Sequence, residues 1–196
     1  VILITTKSGK KNQKLRVDYA GSFSGSTVNR VQHQQNDFGQ GWSGLWARNE
    51  NGSWGPKFDN KDRLWGNTVD NSRLIKPYSL VENNLRDFYD PGTALSNSLT
   101  LSGGTENLTF RVSYGNTQEN GIVPGDKDTY NRNNFSARTE FTSDKLTIGA
   151  AMEYINKKAE VIATGQGDDA GAGATLAQEI IQIPRDHAIV DYADFN

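Results

Sequence analysis

The stretch LSNSLTLSGGTENLTFRVSYGN, residues Leu95–Asn116, decides how the rest of the chain is read. In its first half Leu95, Leu99 and Leu101 alternate with Ser96, Ser98, Thr100 and Ser102, broken only by Asn97. In its second half Leu108, Phe110, Val112 and Tyr114 alternate with Thr109, Arg111 and Ser113. A period of two places one set of side chains on each face, so both halves read as strands with one apolar and one polar face. The intervening GGTEN, Gly103–Asn107, is a short hairpin link, and the two strands are antiparallel neighbours.

The same alternation recurs on either side. Leu15, Val17, Tyr19 and Phe23 oppose Arg16, Asp18, Ser22, Ser24 and Ser26; Phe135, Ala137 and Phe141 oppose Ser136, Arg138 and Glu140. Leu146, Ile148, Ala150, Met152 and Tyr154 oppose Thr147, Gly149 and Glu153. Strands are expected near 15–27, 95–103, 107–116, 133–141 and 145–155, with TSDK, Thr142–Lys145, as a second tight turn. Long connections are expected near 28–93, 116–130 and 156–196. Short turns alternating with long loops suit a transmembrane antiparallel β-barrel, with lipid on the apolar face and the lumen on the polar one. Leu99, Phe110, Ile148 and Met152 would then face lipid, and Tyr19, Tyr114, Tyr154 and Phe141 would form an interfacial girdle. Pattern alone admits a soluble β-sandwich or jelly roll equally well. A connection of about 65 residues argues against it, because structureless loops beyond about 15 residues are uncommon in compact domains.

Composition narrows the functional classes. The 196-residue chain carries a net charge of -2, which gives no electrostatic footing for nucleic acid. It has no cysteine, so thiolate metal sites, disulfides and cysteine nucleophiles are excluded. A mean hydropathy of -0.68 is lean for a packed soluble core, and no run approaches the roughly 20 apolar residues of a membrane helix. That second test is silent on barrels, whose strands alternate.

Several segments carry a more specific signal: VILITTKSGKK (Val1–Lys11), NDFGQGWSG (Asn36–Gly44), NGSWGPKFD (Asn51–Asp59), LWGNTVDNSRLIKPYS (Leu64–Ser79), LSGGTENLTFRVSYGNTQENGIVP (Leu101–Pro124) and QIPRDHAIVD (Gln182–Asp191). In this order they resemble the SusC/RagA family of TonB-dependent outer-membrane transporters. The resemblance implies that residues 1–10 end a plug domain and 11–196 begin a plugged barrel of the 22-strand kind, with long extracellular loops. This chain is then expected to be an internal piece of a longer polypeptide, since five strands cannot close a barrel and an open edge in lipid leaves backbone groups unpaired. It further implies a multi-pass protein of the bacterial outer membrane that actively imports an oligosaccharide or oligopeptide. Its partners would be a SusD-like surface lipoprotein, outer-membrane lipid, the remainder of the same chain, and the TonB complex through a region absent here. No enzymatic activity and no cofactor are implied. The alternative is a soluble or surface β-sandwich that binds carbohydrate.

The first long connection holds all four tryptophans, Trp42, Trp46, Trp54 and Trp65, the candidate substrate-binding residues. Aromatic faces stack on sugar rings, and neighbouring Asn and Asp side chains hydrogen-bond hydroxyls. Fastening the loop or docking the cap protein are competing roles for the same side chains. Asp126 and Asp128 have calcium-loop spacing but lack the accompanying Gly and Glu, and GQGDDAGAGA, Gly165–Ala174, lacks the third glycine of a nucleotide fingerprint. His33 and His187 stand apart with no cysteine or carboxylate cluster, so no metal site is expected. Arg16, Arg111, Arg138 and Glu140 would face the lumen, and Arg185-Asp186-His187 has no evident role from sequence.

Overall fold

A computed structural model describes residues 7–69, 71–162 and 175–189. The expected strand Val1–Thr6, the Gly165–Ala174 loop and the last residues of QIPRDHAIVD lie outside them. The chain is predominantly β and divides into a sheet unit, residues 7–26 and 91–161, and a loop unit, residues 27–90 and 162–189.

The alternating stretches are long strands: β1 (Gln13–Ser26), β4 (Gly92–Gly104), β5 (Leu108–Asn120), β6 (Thr129–Thr142) and β7 (Thr147–Ala159). Between β1 and β4 lie β2 (Asp62–Val69), β3 (Ser72–Pro77) and the short helix α1 (Asn84–Asp87), and after β7 comes α2 (Leu176–Gln182). The five long strands form one open antiparallel sheet in the order β1-β4-β5-β6-β7. Registry is continuous across it. Tyr19 opposes Leu99, Leu99 opposes Tyr114, Tyr114 opposes Phe135 and Phe135 opposes Tyr154. Val17, Leu101, Val112, Ala137 and Met152 make the neighbouring rung on the same face.

The apolar face of this sheet is not covered as that of a water-soluble one would be, and β7 is exposed on both faces. Leu15, Val17, Tyr19, Phe23, Leu99, Tyr114, Ile148, Met152 and Tyr154 are exposed, while Thr100, Ser102 and Thr109 on the opposite face are buried. On the polar face Arg16 forms an ion pair with Asp18 at 2.7 Å.

Two connections differ from expectation. The one expected near 116–130 shrinks to residues 121–128, because β5 and β6 stay paired through Asn116–Asn133, Gln118–Asn131 and Asn120–Thr129. These segments are polar on both faces, so the period-two signal vanishes while the ladder continues. The short loop that remains is tied down by its own carboxylates: Asp126 Oδ1 accepts from Asn120 Nδ2 at 2.7 Å, and Asp128 Oδ1 accepts from the Val123 N–H at 3.3 Å. The connection near 28–93 is not structureless, for it contains the β2–β3 hairpin, α1 and three isolated bridges.

At the turn end, residues 7–12 run against the β4–β5 hairpin, and the Asn12 N–H donates to Thr105 O at 3.0 Å. A β-carbon on Gly9 would collide with backbone atoms of Phe110 and Gly103. Gly9→Ala is therefore expected to lift this segment off the hairpin at a cost of about 1–3 kcal/mol, read as faster amide exchange at Asn12. Gly25→Ala, which meets only Gly92 O at 3.9 Å, is the matched control and leaves exchange unchanged.

Candidate functional site

The loop unit is assembled from segments far apart in sequence. Residues 37–41 run beside residues 52–58, joined by N–H donations from Gly55 to Gly39 O (3.0 Å), Trp54 to Gly41 O (3.2 Å) and Phe58 to Asp37 O (3.1 Å). Trp42 and Leu45 exchange both backbone hydrogen bonds at 2.9 Å around Ser43 and Gly44, each with positive φ. That pairing is a two-residue hairpin turn of the type whose central residues both need φ > 0. The Gly44 N–H donates to Trp54 O at 2.9 Å, which lays the Trp54 backbone beside the turn. The result is a firm tip with Trp42 60%, Leu45 72% and Trp54 69% exposed.

Beneath the tip, Tyr78 is 1% exposed, and its hydroxyl lies 3.0 Å from the carbonyl oxygens of both Gln40 and Pro56. Its ring meets Phe58 at 5.4 Å, with the Arg63 guanidinium 4.1 Å from its centroid. Burial, reinforced by the Asp186 charge, pushes the phenol up to about 12, so it remains a neutral donor.

The segment with no role in sequence fastens the unit. Arg185 donates from Nε to Gln35 O (3.0 Å), from Nη1 to Gln34 Oε1 (3.0 Å) and from Nη2 to Asn36 Oδ1 (2.8 Å). Its backbone N–H donates to Ser53 Oγ at 2.8 Å. The fully enclosed Asp186 carboxylate accepts from Lys76 Nζ on β3 and, at 2.7 Å, from the Gln40 N–H. Lys76 Nζ also donates to Asp186 O at 2.6 Å. Burial draws the Lys76 amine below its ordinary pKa, opposed by the Asp186 carboxylate. The His187 ring packs on Trp65 at 4.7 Å, and His187 O accepts from Asn84 Nδ2 at 2.6 Å. Leu85, Ile180 and Ile189 form a small apolar core beside this clasp, with Val31, Phe88, Tyr89, Leu176 and Ile183 around it.

The four tryptophans therefore do not form one cluster. Trp42 and Trp54 share the exposed tip, Trp46 is half-buried, and Trp65 lies on β2 against His187 with Lys76 Nζ 5.8 Å from its ring centroid. His33 is exposed. Among the described residues no group of three or more His, Asp or Glu side chains is placed to hold a metal ion.

No protein-family model matches the chain. Over 183 residues, 90% of this chain, it is 30% identical to the TonB-dependent receptor SusC of Bacteroides thetaiotaomicron. The chain spans 15% of that receptor's length. It is a distant relative of that receptor.

Two outcomes follow from the clasp. Asp186→Ala leaves the Lys76 ammonium half-buried without its carboxylate, and loss of one partner of a buried pair costs about 3–5 kcal/mol. The loop unit is expected to become protease-sensitive while the sheet stays resistant, and equal resistance of both units would contradict the assignment. Burial, and next the Lys76 charge, hold His187 below its ordinary 6.5, with Asp186 acting in the opposite direction. The unfolded chain thus binds the proton more readily, and the His187 contribution, complete above pH 6.5, is lost as pH falls through the lower folded value. The opening free energy of the loop unit, taken from amide exchange divided by the intrinsic rate at each pH, should fall on acidification below 6.5, and His187→Gln should flatten that dependence.

Proposed function

We propose that this chain is part of a TonB-dependent importer of the bacterial outer membrane, contributing barrel strands and external loops and performing no catalysis. The observation that carries the reading is the uncovered apolar face of the sheet, exposed from β1 to β7, with Thr100, Ser102 and Thr109 buried on the opposite face of β4 and β5. In water, a continuous apolar surface of this extent is a liability unless something covers it. In a bilayer it is the lipid-facing wall of a barrel, and the polar face lines the lumen. The similarity to the SusC receptor supports the same reading.

Both long connections leave the sheet at the end opposite the short turns 105–107 and 143–146, as external loops of a barrel do. Through those loops the importer would meet an oligosaccharide or oligopeptide and a SusD-like surface lipoprotein, with the exposed Trp42–Leu45 turn and Trp54 as the contact surface. Energy would come from the TonB complex acting elsewhere on the polypeptide. The unpaired edges of β1 and β7 would be met by further strands of the same barrel.

Arg substitution at Leu99, Phe110 or Met152 tests the reading in the intact polypeptide. Near the bilayer midplane each should cost about 2–4 kcal/mol and reduce assembly into membranes, whereas Ser113→Arg on the polar face should be tolerated. Recovery of the wild-type polypeptide as a free, water-soluble species would instead favour a β-sandwich binding module.

A further inference from the structure

On the polar face of the sheet, two rungs toward its loop end carry small side chains on three neighbouring strands. Ser22, Ser96 and Thr117 share one rung, and Ala20, Ser98 and Gly115 share the next. They leave a recess of about 290 Å³. Asn134 closes it on β6: a β-carbon at residue 115 would lie 2.7 Å from Asn134 Oδ1, so the amide lies across the glycine. On the floor, Ser96 Oγ donates to Thr117 Oγ1 at 3.2 Å. Positive charge stands at one side. Arg132 continues the Ser22–Ser96–Thr117 rung across β6, and Lys157 continues it across β7.

Two cations directly opposite each other on neighbouring strands repel. The other such pair on this face, Arg111 and Arg138, has Glu140 and Glu153 one rung away on the same face. Arg132 and Lys157 have only Glu119, diagonally across from Arg132 on β5, and among the described residues neither cation joins an ion pair. The Arg132 Nε is buried and, among the described residues, donates to nothing. A buried guanidinium N–H without an acceptor is costly, and an anion placed between the two cations would remove that cost and their repulsion together. We propose that Arg132 and Lys157, beside this recess, form a subsite for the carboxylate of an acidic substrate. The inference rests on the importer reading and names a substrate class for it.

The chemistry of the surroundings agrees. A carboxylate has two oxygens, one to accept from the guanidinium fork and one from the Lys157 ammonium. The body of the same unit would lie in the recess, against the hydroxyls of Ser22, Ser96 and Ser98 and the Asn134 amide. That space suits one sugar ring or one amino-acid residue, and a uronate ring and an acidic amino acid bring the same anionic group to it. A neutral unit of equal size would leave the Arg132 Nε unmet, and sites built around a buried polar group discriminate strongly against ligands that cannot satisfy it.

Titration calorimetry on the intact polypeptide, extracted from membranes in detergent, tests the subsite with tetragalacturonate, tetraglutamate and neutral maltotetraose. At least one of the two acids is expected to bind, more weakly as salt is raised, and which one binds identifies the source of the carboxylate. Lys157 is exposed, so Lys157→Gln leaves the fold intact, and Arg132→Lys keeps the charge while removing the guanidinium fork. Lys157→Gln and Arg132→Gln should each weaken the acid about tenfold, Arg132→Lys should restore part of the loss, and maltotetraose should respond to none of them. Equal acid affinity in wild type and variants, or no binding of either acid by the membrane-extracted polypeptide, would overturn the subsite and leave the importer reading standing. A lower melting temperature for Arg132→Gln with no acid bound would assign the carboxylate to the remainder of the chain and overturn it equally. Recovery of the polypeptide as a water-soluble species would remove the importer reading and the subsite with it.

Discussion

The structure depends on a single constraint: an apolar sheet face held in register across five strands and exposed from one edge to the other. Hydrogen-bonded rungs fix which side chains share a face, and a slip of one residue at any ladder would turn an entire strand's apolar set inward. Four ladders run without such a slip apart from one irregularity between Gln13 and Arg16 at the start of β1. That consistency produces a continuous wall instead of scattered exposed leucines. A water-soluble sheet would cover this wall with a second layer, and here the polar side is the one with buried threonine and serine.

The sheet was largely legible from sequence because period two survives wherever the two faces meet different surroundings. Leu108, Phe110, Val112 and Tyr114 alternate with polar residues, and they belong to β5. Legibility ends where both faces become polar: Asn116–Asn120 and Thr129–Asn134 pair fully but carry no alternation, so the strands extend past the expected ends. The β2–β3 hairpin escaped for a different reason. Its turn depends on Asn71 with φ of 60°, and its strands are short, so within a long polar connection the signal resembled loop.

The clasp was not legible at all, and its geometry explains why. Asp186 reaches Gln40, 146 residues back, and Lys76, 110 residues back, while Arg185 binds residues 34–36. No local pattern announces that three consecutive residues will each satisfy a different distant segment. A burying charge next to a histidine after a proline was the available hint, and only the fold gives it meaning. The tryptophans show the converse limit, since the sequence places all four in one connection as candidate substrate contacts, whereas backbone pairing gathers Trp42 and Trp54 and a ring contact ties Trp65 to His187.

A connection as long as residues 27–90 cannot remain ordered by its ends alone, because closing a loop constrains little of its interior. Order comes instead from pooling two connections. Leu85 belongs to the first and Ile180 and Ile189 to the second, so neither contains the core by itself. The buried Lys76–Asp186 pair and the Arg185 hydrogen bonds span the same divide. The sheet, by contrast, grows through consecutive hairpins β4-β5-β6-β7, with β1 its one non-consecutive partner. Local pairing suffices for most of the wall, whereas the surface that presents Trp42 and Trp54 requires residues from beyond β7. The exposed tip is thus held by the most distant contacts of the chain, and a single buried carboxylate, Asp186, anchors the strand that leads into it.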